Sequence, residues 1–283
     1  MSGSRGTLAR RAPVIVKYVV LTIVALVVVV LPIWLVVVNS WKTFGESQRL
    51  GFGLPETWAL VENYRDVFRD ARMERGFVNS IVVTGVSIVA MLLLGSGAAW
   101  VLARSRSRLD RVSYYVVVLA IIVPPSVVTT IALLKALGLY GGHPGLIAFY
   151  VGAFLPLTIF LIAGYIRTIP AELEDAARID GCGHIGVFGR VIFPLLRPIL
   201  ATAGVLLLIL VWNDFFWAFF ILSGSDAYTL PLGLYYVSSE AVHQTRWDAV
   251  FTHVVLVSAP LLIVYVFAQR RIISGLTAGA THG

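Results

Sequence analysis

The chain has 283 residues, 58% of them hydrophobic and only 13% charged, with a formal net charge of +7 and a mean hydropathy of +0.88. A soluble domain carries about 25% charge, so a water-soluble enzyme is excluded as the bulk of the chain, and repeated apolar runs of about 20 residues indicate several membrane crossings. The single cysteine, Cys182, excludes an intrachain disulfide and argues against a cysteine-based metal cluster, while the basic balance reads as loops anchored on one membrane face rather than as nucleic-acid affinity.

Residues 1–17 form a basic tail with Arg5, Arg10, Arg11 and Lys17. The first span is predicted over 18–38, which carries no charge. It is longer than the apolar core of a signal peptide and no small-residue cleavage site follows it, so it is expected to stay as a helix. Its β-branched richness would suit a strand in water, but lipid demands that backbone groups be satisfied within the segment. Pro32 is expected to kink it. Residues 39–76 are polar, and Trp58 to Phe68 within them reads as a short helix, either amphipathic on the outer surface or packed into the loop.

The second span is predicted over 77–103, with Gly85, Gly95, Ser96, Gly97, Ala98 and Ala99 giving it a small-residue side for close helix packing. Arg104, Arg106, Arg108 and Arg111 make a basic turn. The third span, 112–134, is interrupted by Pro124-Pro125. Such a pair bends or breaks a helix, leaving either a packing kink or irregular backbone that lines a translocation path. After the turn from Leu137 to Gly145 come a fourth span over 146–166, a polar segment over 170–198, and a fifth span over 199–222. Residues 223–248 read as an outer loop holding Tyr228, His243 and Trp247. The sixth span is 249–269, with Pro260 and His253 inside, and 271–283 is a glycine-rich tail. The expected fold is all-α: a polytopic domain over 18–270 with six transmembrane helices and a helix between the fourth and fifth that lies outside the membrane. Of the 22 Lys and Arg, 14 fall in the N-terminal tail, the 104–111 turn, the 167–197 segment and the Arg270-Arg271 pair, so both termini and that segment are expected in the cytoplasm.

The polar segment is the most informative stretch. Pro170 suits a helix's first turn, and Glu172, Glu174 and Asp175 oppose the positive end of its dipole. Leu173, Ala176, Ala177 and Asp180 share a face, with two alanines allowing close approach to a partner. Gly181 and Gly183 stop or turn the helix, and Pro194 and Pro198 mark re-entry into the membrane. A short helix held transverse to the spans in this way can be pushed as a unit. The carboxylates invite an acid–base enzyme reading, but no histidine–nucleophile set accompanies them. Gly181-x-Gly183 has neither a preceding strand nor a Lys-Ser/Thr, and is not a phosphate loop.

This stretch resembles the cytoplasmic motif of the permease subunits of bacterial ABC importers. That motif is Glu-Ala-Ala, three residues, Gly, nine residues, then Ile-x-Leu-Pro. Asp175 stands at the glutamate; Ala176, Ala177, Gly181 and Pro194 match; Val191 and Phe193 replace the isoleucine and leucine. Asp180-Gly181, Asn79-Ser80, Trp212-Asn213-Asp214-Phe215, Thr229 to Gly233 and the closing Gly275 to Ala280 resemble the carbohydrate branch, in particular the maltose-type second permease. Gly142-His143 departs from that pattern. The resemblance implies a pore made with a second permease subunit, two cytoplasmic ATPase subunits that carry the ATP and Mg, and an extracytoplasmic solute-binding protein that delivers a sugar. It implies a bacterial cytoplasmic-membrane location. This chain would bind no cofactor or nucleotide, and Glu172, Asp175, Ala176, Ala177, Asp180 and Gly181 would seat on an ATPase. Trp212, Asn213 and Asp214 either line the sugar path or pair within the helices near the outer interface. In maltose-type systems, sugar contacts are more a property of the other permease. A self-contained channel or secondary transporter is the alternative; it calls for inverted repeats and midplane charges, where this sequence has Asp214 alone.

Overall fold

The computed structural model describes residues 16–69, 71–239 and 245–280. Arg5, Arg10, Arg11 and His243 lie outside the described residues, as do the side chains of Gln269, Arg270 and residues 275–280. The chain divides into two units, Met1–Asp70 with Leu234–Ser258, and Ala71–Gly233 with Ala259–Gly283.

In the first unit α1 runs Val16–Asn39, close to the predicted first span. Pro32 does not break it. Leu26–Val30 form a π turn in which the Leu31 N–H reaches back to the Leu26 carbonyl. A proline ring clashes with the carbonyl four residues earlier, here that of Val28, and the widened turn moves it aside. Beyond α1, polar side chains satisfy the backbone, as they must where no helix does. Asn39 Nδ2 donates to the Leu35 and Gly51 carbonyls at 2.7 and 3.1 Å, and Lys42 Nζ to the Gly51 carbonyl at 2.6 Å. Two short helices follow, α2 (Phe44–Ser47) and α3 (Leu60–Arg69). α3 has features of both readings: its one buried residue packs into the loop through a polar edge, and most of its apolar side chains are exposed. Asn63 is buried and donates to the Ser40 and Lys42 carbonyls at 3.0 and 2.8 Å, while Val61 and Phe68 stay exposed.

In the second unit α4 (Ala71–Arg104) starts well before residue 77. Its first turns are tied to the segment before Leu230: Arg75 pairs with Asp226, Asn79 Nδ2 donates to the Asp226 and Tyr228 carbonyls at 2.9 Å each, and Ser80 Oγ accepts from the Leu230 N–H at 2.8 Å. The third predicted span is broken. α5 (Arg108–Ile122) and α6 (Val127–Ala136) meet at 117° around Pro124-Pro125. α7 (His143–Ile166) lies against α4, and a Cβ on Gly95 would stand 2.7 Å from Thr158 Cγ2. Of the small residues expected to pack, Gly95 and Ala99 meet α7, whereas Gly85 and Gly97 face open space. The turn before α7 needs glycine at Gly138 and Gly141, with φ of 68° and 95°, and an isolated bridge pairs Gly141 with Leu222.

After α7 come α8 (Glu172–Ile179) and α9 (His184–Leu195), then α10 (Arg197–Trp212) at 71° to α9. The fifth predicted span does not run through to residue 222: it stops at Trp212 and restarts as α11 (Phe216–Ile221). The expected loop over 223–248 holds a further helix, α12 (Leu230–Ser239). α13 (Trp247–Ala280) contains the sixth span with Pro260, and its backbone stays helical through most of the residues read as a tail. Among the described residues four helices are long and apolar enough to cross a membrane, and up to six crossings result if each bent pair is one span. The fold is all-α and polytopic.

Candidate functional site

The segment between the fourth and fifth spans folds as a capped helix with two unlike faces. α8 starts two residues later than Pro170 suggested. Ala171 is the N-cap, its carbonyl accepting from the Glu174 and Asp175 N–H groups at 2.9 and 3.2 Å, so Pro170 lies just outside the helix. No side chain caps this end; the three carboxylates Glu172, Glu174 and Asp175 in the first turn offset the exposed dipole instead. The other end is a Schellman turn. Asp180 is the C-cap and Gly181 takes φ +85°; the Gly181 N–H bonds to the Arg178 carbonyl at 3.0 Å and the Cys182 N–H to the Ala177 carbonyl at 2.9 Å. A left-handed residue is required there, which is why the position calls for glycine.

The inward face carries Ala177 and Glu174. Ala177 packs in a core with Ala99 of α4, Ile159, Ile162, Ala163 and Ile166 of α7, and Val187, Ile192 and Leu196. Of Leu173, Ala176, Ala177 and Asp180, expected to share one face, Ala177 packs against the chain's own helices and the other three are exposed. Glu172, Leu173, Asp175, Ala176, Ile179 and Asp180 face outward, Ile179 at 87% exposure, with Ile185 of α9 at 88% beside them in sequence. Arg178, half exposed, bridges Asp175 at 3.1 Å.

The sequence pattern marks Glu174 only as a first-turn carboxylate. It is 3% exposed and accepts from Arg104 Nε at 2.7 Å and Trp100 Nε1 at 3.1 Å. The signal that would have found it is spacing: Trp100 and Arg104 are four apart on the last turns of α4, and Arg178 lies four after Glu174.

Trp212, Asn213 and Asp214 do not share one surface. Trp212 is buried, edge-on to Phe77 at 6.5 Å between ring centres. Asn213 is exposed and donates back to the Ile209 carbonyl at 2.9 Å. Asp214 sits in the break between α10 and α11. One of its oxygens accepts from Tyr150 O–H at 2.7 Å and from the Trp217 and Ala218 N–H groups at 3.1 and 3.2 Å. The carboxylate thus supplies the first turn of α11 with the acceptors it lacks, and nothing in the sequence pointed to Tyr150. An open apolar cleft of about 670 Å³ borders Pro124 and Pro125, with Thr130, Phe149, Phe154 and Trp217 on its walls. Among the described residues, no three His, Cys, Asp or Glu are grouped so as to hold a metal ion.

Comparison with known proteins agrees with this picture. The model of the family described as binding-protein-dependent transport system inner membrane component matches residues 91–277. The diacetylchitobiose uptake system permease protein NgcG of Streptomyces coelicolor is 32% identical over 255 residues, 89% of this chain and 84% of that protein. The melibiose/raffinose/stachyose import permease protein MelC of Bacillus subtilis is 32% identical over 78% of this chain and 80% of its own length. A solved bacterial ABC transporter involved in the import of the acidic polysaccharide alginate superposes with a TM-score of 0.82 at 25% identity, over 95% of this chain and 99% of its counterpart. These relatives are transport permeases rather than enzymes, and with most of its length under the family model the chain belongs to the binding-protein-dependent transport system inner membrane component family.

Proposed function

We propose that this chain is a permease subunit of an ATP-driven importer, the maltose-type second permease of its complex, and that it moves a sugar, oligosaccharide or sugar derivative across the cytoplasmic membrane by alternating access. The observation that carries the reading is α8: an eight-residue helix fixed to the spans on one face and presenting Glu172, Leu173, Asp175, Ala176, Ile179 and Asp180 on the other. That outward face seats on a cytoplasmic ATPase subunit, where ATP and Mg are bound. A second permease completes the pore, and a solute-binding protein delivers the cargo outside. The carbohydrate assignment is supported by relatives whose names state uptake of diacetylchitobiose and of melibiose, raffinose and stachyose. Both termini and α8 lie in the cytoplasm, in keeping with the distribution of Lys and Arg.

The test is reconstitution of this chain with its partner permease, ATPase and binding protein in proteoliposomes, supplied with radiolabelled di- and oligosaccharides. Uptake is expected only with ATP, the ATPase and the loaded binding protein together. Sugar uptake by the permease pair alone, driven by an ion gradient, would overturn the reading in favour of a secondary transporter.

A further inference from the structure

Of the three carboxylates in the first turn of α8, Glu172 and Asp175 face outward and Glu174 is buried. Both of its oxygens are occupied. Oε1 accepts from Arg104 Nε at 2.7 Å; Oε2 accepts from Trp100 Nε1 at 3.1 Å and lies 3.7 Å from the Arg178 guanidinium. Arg104 does more than neutralise the charge. A terminal nitrogen of the same guanidinium donates to the Ile169 carbonyl at 2.7 Å, in the link from α7 into α8. One planar fork at the end of α4 therefore grips both the helix and the chain that feeds it, a fixed geometry that lysine cannot reproduce. Trp100 is steadied in turn by Phe188 of α9, with 5.4 Å between ring centres.

α8 is short and is followed by Gly181 and Gly183. Its apolar hold is a single small side chain, Ala177. Apolar packing of that kind is non-directional, and a helix held by it alone can roll or slide when force is applied at Ile179. A buried, doubly bonded ion pair is directional and costly to break.

We propose that Glu174 is a positioning residue: gripped by Trp100 and Arg104, it makes α8 and the end of α4 one rigid piece, so that a displacement imposed on the outward face of α8 is delivered to the second span. This rests on the importer reading above and names the joint through which that reading works. Glu174 touches neither the ATPase nor the sugar. Its loss leaves the docking face in place and lowers the yield of each hydrolysis event.

The experiment measures sugar moved and phosphate released in the same proteoliposomes of the full complex. Glu174→Gln keeps the size of the side chain but turns an amide N–H₂ toward donors. It is expected to retain hydrolysis stimulated by the binding protein while sugar per phosphate falls about tenfold or more. Glu174→Asp, which keeps the charge, recovers part of that ratio. Trp100→Phe removes one donor and keeps the ring against Phe188, and lowers the ratio about threefold. An unchanged ratio in Glu174→Gln, or uptake and hydrolysis falling in step, would overturn the inference by making the residue merely structural. If the glutamine variant does not assemble, Trp100→Phe decides by the same ratio, an unchanged value again being fatal. A wild-type complex that moves no sugar on ATP would sink the importer reading and this inference with it; a coupled wild type with indifferent variants sinks the inference alone.

Discussion

At Asp214 a carboxylate does the work of a missing helical turn. Its Oδ2 takes the Tyr150 hydroxyl and two backbone N–H groups of α11. Asparagine retains one acceptor oxygen at the same reach, so Asp214→Asn should lower stability by about 1 kcal/mol or less and leave uptake near wild type. Asp214→Ala strands two N–H donors and the phenol, and should cost about 1–2 kcal/mol. Thermal unfolding of the purified complex, followed by size-exclusion chromatography, checks both. Abolished uptake in an Asp214→Asn complex of normal stability would place the residue in the sugar path instead.

Among the elements, α8 separates two substitutions that the sequence treats alike. Ala177→Arg drives an unpaired charge into the core around Ala99, Ile166 and Val187, and should destabilise the permease itself by about 3 kcal/mol or more. Ile179→Glu changes an exposed side chain; it should alter stability by about 0.5 kcal/mol at most, yet weaken co-purification of the ATPase. Melting curves beside a pull-down tell the two apart, and a normal melt for Ala177→Arg would contradict its inward placement. Charge placement and the Pro-Gly punctuation around 170–183 made the existence of this helix legible from the sequence. Which face turned inward was not, because an alanine is equally at home against a partner or against its own chain. The breaks followed a similar rule. Pro124-Pro125 announced the interruption of the third span but not its 117° angle. The stop at Trp212 was invisible because Phe215 to Leu222 continue the apolar run; the Trp217 and Ala218 N–H groups bonded to its carboxylate reveal Asp214 as a cap, held by Tyr150 from 64 residues away. Two π turns, Leu26–Val30 and Phe188–Ile192, each end two residues before a proline, Pro32 and Pro194. Pro156 and Pro260 sit in helices without one, so proline alone does not dictate the wider turn.

For the whole molecule, the governing constraint is the bilayer. Val16–Ile33 expose their apolar side chains all round, a surface for lipid tails or another subunit's helices. With α8 in the cytoplasm, a green fluorescent protein fused after Gly283 is expected to fluoresce, and alkaline phosphatase inserted at residues 240–244 to be active. The reverse pattern would invert the topology and remove α8 from the ATPase's side. The Schellman turn that closes α8 has one more consequence. Its last donor is the N–H of Cys182, the chain's single cysteine, whose side chain is half-buried. The protein thus carries its own attachment point at the rim of the proposed docking face. Because that thiol is partly covered by the core around Ala177, a maleimide should label this subunit slowly, and more slowly once an ATPase is seated, so its labelling rate would report docking without an engineered residue.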